Sequence, residues 1–167
     1  MKVFGVVGWK DNGKTTLVER VVAHLAGLGL RVSTVKHAHH TVELDRPGKD
    51  SWRHREAGAT EVVLATSRRF AILHELREEP EPPLEALLAR MSPVDLVIVE
   101  GFKSFPHPKI EAHRRERGTP LIAREDPSVL AVASNEPLEG LTLPVFDLDD
   151  IPAIAGFILE RTELCRQ

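Results

Sequence analysis

An α/β fold built on a largely parallel sheet, with an added β-hairpin, is what this chain of 167 residues predicts. Three observations carry that reading. An apolar run at 2–7 leads through a glycine-bounded loop into an amphipathic run at 16–25, and a second β-rich run follows at 31–36. Strand, loop, helix and strand in that order make a βαβ unit, whose strands lie parallel because the helix carries the chain back along the sheet. A fully apolar run at 95–101 ends in a carboxylate and reads as a further strand of the sheet. Two β-rich runs, 60–65 and 69–73, are separated by the polar residues 66–68, a spacing that suits a hairpin.

Composition narrows the class. The length fits one domain, 1–167, with a substantial core. The hydrophobic fraction is 42% and the charged fraction 28%, ordinary for a globular protein. A formal charge of −3 and a pI near 6.2 imply no general attraction to nucleic acid or to a membrane surface. No apolar run approaches the roughly 20 residues of a membrane span, and the N-terminus lacks a signal-peptide pattern. With a single cysteine, Cys165, there is no internal disulfide framework, which suits a reducing, cytoplasmic setting. Six Phe, two Trp and no Tyr leave core packing to Val, Leu, Ile and Ala.

The remaining elements follow in order. Gly27 and Gly29 punctuate the end of the first helix, where glycine accepts positive φ at little cost. The polar segment 37–51, with Pro47-Gly48 at its middle, is long for a connection, and such loops are usually functional or disordered. A short helix is expected at 51–58 and another at 84–91, where Leu84, Leu87 and Leu88 share one face. The acidic, proline-rich stretch 78–83 between them reads as a solvated elbow. Later strands are expected at 121–123, 129–133 and 144–146, and a helix at 149–164 closes the chain.

The loop itself is Gly8-Trp9-Lys10-Asp11-Asn12-Gly13-Lys14-Thr15, which fits the phosphate-binding pattern G-x-x-x-x-G-K-[ST]. A strand before it and a helix after it are the context the motif needs. Glycines let the backbone wrap closely, so that successive N–H groups point at phosphate oxygens while the helix adds the positive end of its dipole. The expected binding set is Gly8, Asn12, Gly13, Lys14, Thr15 and Thr16. Lys14 bridges the β- and γ-phosphates, the Thr15 hydroxyl ligates Mg²⁺, and Thr16 faces the α-phosphate. Lys10 reads as a surface charge.

Three further constellations share the expected ligand face. In Leu96-Val97-Ile98-Val99-Glu100-Gly101 an apolar strand ends in Glu100, the carboxylate expected to hold Mg²⁺ or its water shell. Lys14 and Glu100 are thus the candidate catalytic pair, and Thr15 and Glu100 the candidate metal ligands. His37-Ala38-His39-His40 leaves the C-terminal end of the second strand, where open α/β sheets bind ligands. With Lys36, Asp45, Lys49 and Asp50, His37 and His39 are expected to line the nucleotide or a partner substrate. Metal ligation by the histidines is the competing reading. The segment from Phe102 to Glu111 directly follows Glu100-Gly101 and so leaves the same face. In it Lys103 and Lys109 are placed to meet phosphates or an anionic partner, with Phe102 and Phe105 as anchors or core.

Taken together these blocks resemble the MobB family of molybdopterin-guanine dinucleotide biosynthesis. The resemblance rests on Gly8-x4-Gly13-Lys14-Thr15-Thr16-Leu17, Lys36-His37-Ala38-His39-His40 and Asp45-Arg46-Pro47-Gly48-Lys49-Asp50-Ser51. It continues through Ala57-Gly58-Ala59, Val99-Glu100-Gly101-Phe102-Lys103, Pro108-Lys109-Ile110-Glu111 and Ala131-Val132-Ala133-Ser134-Asn135, in the family's order over nearly the whole length. It implies a doubly wound sheet of P-loop NTPase type and a GTP-binding adaptor with weak GTPase activity. It further implies an intertwined homodimer and cooperation with the guanylyltransferase that joins GMP to molybdopterin. The cofactors implied are GTP and Mg²⁺. Asn135 stands where the family pattern has Asp, and if that turn reads guanine an amide oxygen offers one acceptor group where a carboxylate offers two. There is no [NT]-K-x-D guanine motif in the chain.

Other functions remain open on the residues. A small-molecule kinase acting on a pterin- or nucleoside-like acceptor is the alternative on this fold. It would need an arginine-rich lid, for which Arg114, Arg115 and Arg117 form the only dense cluster, and a solvated turn explains them as well. Neither a water-positioning Gln nor an arginine finger stands in motif form, and without such parts hydrolysis is slow. The hairpin near 62–73 is the expected exchanged edge of the dimer, since unpaired strands seek partners.

Overall fold

The computed structural model describes residues 1–38 and 45–165. The chain runs β1 (Lys2–Val7), α1 (Lys14–Gly27), β2 (Val32–Lys36), α2 (Asp50–Glu56), β3 (Glu61–Ala65), β4 (Phe70–His74) and α3 (Leu84–Ala89). It continues with β5 (Leu96–Glu100), β6 (Lys109–His113), β7 (Val129–Ser134), β8 (Val145–Asp147) and α4 (Ile151–Arg161). These elements gather into two compact units, Met1–His37 with Met91–Gln167, and Ala38–Arg90.

The first unit holds a six-stranded sheet in the order β2-β5-β1-β6-β7-β8, with every neighbouring pair parallel. Strand order reverses at β1: β5 and β2 lie to one side, β6, β7 and β8 to the other. That is the doubly wound arrangement expected of a P-loop NTPase fold, and its switch point is where such sheets bind ligands. Parallel strands covered on both faces read as continuous apolar runs. In β5, Leu96, Val97, Ile98 and Val99 are all fully buried.

One face of the sheet is closed by α1 and α4. Leu17, Val18, Val21 and Leu25 of α1 meet Ile151, Ile154, Phe157 and Ile158 of α4 over Phe4, Val6, Ile98, Ile110 and Ala131. Apolar positions spaced three and four apart put those side chains on one stripe of each helix. Phe4 and Phe157 meet edge to face at 6.3 Å between ring centroids, the arrangement their quadrupoles favour. Asp150 caps α4 by accepting from the Ala153 N–H at 3.1 Å, and Pro152 falls within the first turn, where a missing N–H costs nothing.

Two expectations fail in this unit, for one reason. A strand stands where none is expected: β6 begins at Lys109 and pairs with both β1 and β7. Residues 121–123 are not a strand: Ile122–Arg124 form a 3-10 turn. In β6, Lys109, Glu111 and His113 alternate with Ile110 and Ala112, which disguises a fully buried strand as a polar segment. Buried charges persist only when paired and hydrogen-bonded. The Lys109 ammonium donates to Asp126 Oδ2 at 2.9 Å, to the Lys103 carbonyl at 3.1 Å and to the Ser128 hydroxyl. Glu111 accepts from the backbone N–H groups of Ile122 at 3.0 Å and Ala123 at 2.8 Å. The turn at 122–124 thus exists as a cap on the Glu111 carboxylate.

The second unit contains α2, α3 and the antiparallel pair β3–β4, whose register Val62↔Leu73 and Val63↔Ile72 is the expected hairpin. Thr66 closes the turn, its hydroxyl donating to the Arg69 carbonyl at 2.8 Å. Arg55 on α2 holds Asp45 through two bonds of 3.2 and 2.7 Å and Glu75 through one of 2.6 Å.

Candidate phosphate-binding site

The loop between β1 and α1 takes its shape from positions that admit only glycine. At Gly8, with φ +149°, a Cβ would lie 2.4 Å from the Ala112 carbonyl oxygen on β6, a backbone atom with no freedom to retreat. Gly13 precedes α1 in the left-handed region at φ +86°, where glycine pays no steric penalty. The first turn of α1 carries no side-chain cap and no acidic residue. Its leading N–H groups are therefore left for a ligand, and the helix dipole favours an anion there.

Asn12, expected to contribute to binding, is fully buried and braces the loop. Its Nδ2 donates to the Lys10 carbonyl and to Thr119 Oγ1, both at 3.3 Å, and its Oδ1 accepts from the Arg114 backbone N–H at 2.7 Å. Trp9 adds a second brace, its indole N–H donating to the Pro120 carbonyl at 2.8 Å. Lys103 lies 3.8 Å over the Trp9 ring, a cation–π contact that draws this ammonium against the loop. Burial lowers the pKa of Lys103, with the nearby Glu111 carboxylate opposing the shift.

Lys14 folds back over the loop, its Nζ donating to the Trp9 carbonyl at 2.8 Å. Its pKa is lowered first by burial; Glu100 raises it, and Lys103 and Lys36 lower it further. Thr15 Oγ1 donates to Glu100 Oε1 at 2.8 Å, and Lys36 Nζ reaches the same carboxylate oxygen at 3.2 Å and the Thr15 hydroxyl at 3.3 Å. The parallel register of β2 and β5 sets Lys36 directly across from Glu100. A hydroxyl and a buried carboxylate side by side are the hard oxygen donors that Mg²⁺ takes, and the Lys36 ammonium lies against both. The donor set fits the ion.

Asp11, Gly13, Lys14, Thr15, Thr16, Arg114 and Arg117 line a cleft of about 460 Å³ over this loop. Arg114 and Arg117 are the functional candidates that sequence reasoning left in a solvated turn. The signal that would have found them was β6, since Arg114 is the residue directly after it. Arg114 Nε comes within 3.2 Å of where a Gly13 Cβ would stand.

The other expected residues are distributed as follows. His37 stacks on Phe102 at 4.6 Å between ring centroids, beside Gly101 at the end of β5. Asn135, just past β7, donates to Glu116 Oε2 at 2.8 Å and accepts from the Arg115 N–H at 3.2 Å. Asp45 and Lys49 belong to the 38–90 unit: Asp45 is bound to Arg55, which lowers its pKa, and Lys49 is exposed just before α2. His39 lies outside the described residues. Among the described residues, no three His, Cys, Asp or Glu side chains are grouped to hold a metal. No helix among them is long and apolar enough to cross a membrane.

With this geometry in place the chain can be compared with known proteins. A family model described as MobB, molybdopterin guanine dinucleotide synthesis protein B, matches residues 3–135. The molybdopterin-guanine dinucleotide biosynthesis adapter protein of Haemophilus influenzae is 45% identical over 159 residues, covering 93% of this chain and 86% of that protein. Its namesake in Escherichia coli is 39% identical over 155 residues, covering 91% and 88%. The crystal structure of a MobB homolog from Bacillus stearothermophilus superposes with a TM-score of 0.73 at 31% identity, covering 98% of this chain and 99% of that one. A phosphate loop, a carboxylate-ended neighbouring strand and a family match spanning both lead to one conclusion: this chain belongs to the MobB family.

Proposed function

We propose that this chain is a GTP-binding adaptor of molybdopterin-guanine dinucleotide biosynthesis, working in the cytoplasm beside the molybdenum cofactor guanylyltransferase and molybdopterin. The observation that carries the reading is the cluster of Lys14, Thr15 and Glu100 at the switch point of a MobB-family chain. The relatives named above carry the adapter role in their names, and the phosphate loop supplies the reason for a triphosphate.

In this reading Lys14 leaves the Trp9 carbonyl to bridge the β- and γ-phosphates, and the N–H groups at the start of α1 receive the β-phosphate. Thr15 and Glu100 hold Mg²⁺, which neutralises charge on the phosphate oxygens when bound. Lys36 then shifts toward the phosphates or the carboxylate's free oxygen. Hydrolysis is slow, because among the described residues no glutamine lines the cleft to orient a water. The nucleotide is held more than it is spent.

The protein works as a homodimer joined through the hairpin. Val63, Ile72 and Phe70 stand on one face of β3–β4 at 60%, 55% and 69% exposure, more apolar surface than a lone ribbon leaves to water. Sedimentation at working concentration reads this directly, and a monomer there overturns the dimer.

Calorimetric titration with Mg²⁺ present tests the central claim. GTP is expected to bind at least tenfold tighter than ATP, and adding the protein to guanylyltransferase and molybdopterin is expected to raise dinucleotide yield. Equal affinity for the two nucleotides with no effect on yield overturns it. Arg114 and Arg117 in the cleft are the specific observation that favours a kinase instead. Transfer of labelled phosphate to a pterin or nucleoside acceptor decides for that reading.

A further inference from the structure

The phosphate end of the site has a direction. Thr15, Glu100 and Lys36 mark its metal side, toward β5. Beyond Lys14 the cleft continues past Gly13 and Thr16 to Arg114 and Arg117, toward the end of β6. Strand order puts β5 and β6 on opposite sides of β1. A nucleotide whose γ-phosphate sits at Glu100 therefore extends its ribose and base across β1, toward the residues that follow β6 and β7.

Two groups meet there. Glu116 lies in the 3-10 turn Arg115–Arg117 that directly follows β6, and Asn135 lies just after β7. Asn135 Nδ2 donates to Glu116 Oε2 at 2.8 Å, while its Oδ1 accepts from the Arg115 N–H at 3.2 Å, so the amide clamps that turn from both ends. Arg114 Nη1 stands 3.7 Å from Glu116 Oε1. The Arg114 backbone N–H is in turn tied at 2.7 Å to Asn12 inside the phosphate loop. The carboxylate is thus fixed relative to the loop through two side chains, and each of its oxygens keeps a lone pair for a ligand.

We propose that Glu116, braced by Asn135, is the side chain that reads the nucleotide base, accepting from guanine N1–H and N2–H. The inference rests on the GTP-binding reading and adds the residue that makes it selective. Two adjacent donors on one edge distinguish guanine from adenine, and a carboxylate is the side chain that accepts from both. It also gives Asn135 its role: the amide at that position orients the acceptor and is not itself the acceptor. Its own backbone N–H, then Asn135 and the nearby Arg114 and Arg117, hold the Glu116 carboxyl below its ordinary range.

Glu116→Gln is the test, read by titrating wild type and variant with GTP, ITP, XTP and ATP. Inosine lacks the N2 amine, so wild type is expected to bind ITP about tenfold more weakly than GTP. The glutamine amide accepts from N1–H and donates to the C2 carbonyl of xanthine. The variant is therefore expected to lose GTP affinity by about tenfold and to gain XTP affinity, inverting the ranking. Asn135→Ala, which frees the carboxylate without removing it, is expected to weaken GTP by a smaller factor and keep the wild-type order. A wild type that favours GTP together with a Glu116→Gln variant that keeps the same order overturns this inference and leaves the GTP reading standing. Equal loss of all four nucleotides in that variant marks a merely structural role and overturns it too. A wild type without preference overturns both.

Discussion

Thr15 and Glu100, 85 residues apart in the chain, share a hydrogen bond of 2.8 Å from Oγ1 to Oε1. The bond joins the first turn of α1 to the last residue of β5, and Lys36 on β2 reaches both atoms. Three elements thus converge on one carboxylate that the apolar β5 carries into the switch point.

Changing Glu100 to Gln keeps a partner for the Thr15 hydroxyl and removes the charge. Lys36 is more than half exposed and can be solvated, so the fold is expected to persist. Triphosphate affinity measured against Mg²⁺ concentration is expected to lose its metal dependence by about tenfold or more. An unchanged Mg²⁺ response would place the ion elsewhere.

In the proposed triphosphate site, Lys14 is expected to make nucleotide affinity pH-dependent. Burial, with Lys103 and Lys36 nearby, lowers its pKa from the usual 10.5, so the ammonium loses its proton in the folded protein before it would in the unfolded chain. The unfolded chain binds more protons between the two values. Stability of the ligand-free protein is therefore expected to rise with pH through that window. Triphosphate affinity is expected to fall over the same range, because phosphate needs the charged form. Lys14→Ala removes both trends and lowers affinity more than tenfold, with the thermal midpoint little changed; titrations and melts across an alkaline pH series check each part.

Lys109 is fully buried and its charge is met by Asp126. Lys109→Met preserves the volume and strands that carboxylate. Breaking one partner of a fully buried pair costs about 3–5 kcal/mol. Asp126 keeps 23% of its side chain in water and the Ser128 hydrogen bonds, so urea denaturation is expected to show a smaller loss, about 2 kcal/mol. A loss under about 1 kcal/mol would mean that Asp126 reaches water without the lysine, as an exposed pair does.

The phosphate loop, α1 and β5 were legible because each is written in contiguous residues. Glycines, a lysine and a threonine at set intervals make the loop, and four apolar residues before Glu100 make the strand. The hairpin was legible in two β-rich runs, 60–65 and 69–73, joined by a short polar connection, and the closing helix was expected at 149–164. β6 did not, since Lys109, Glu111 and His113 look like solvated residues until their partners are known. Missing that strand hid Glu116 and left Arg114 open between a lid and a solvated turn, because both are placed by following it. Asn12 was read as a ligand group, whereas its amide ties the loop to the β6 side of the sheet.

The sequence by itself determined the parallel α/β class, the glycine-bounded loop between β1 and α1, the strand ending in Glu100, and the family. Those depend on spacing along one segment, which the chain carries with it. Tertiary structure alone decided what satisfies the buried charges of β6, and that Lys36 stands across from Glu100. It alone brought Asn135 to Glu116, next to the arginines that line the cleft. Each of those pairs residues remote in sequence, and a buried charge or a placed carboxylate has a meaning only once the group that compensates it has arrived.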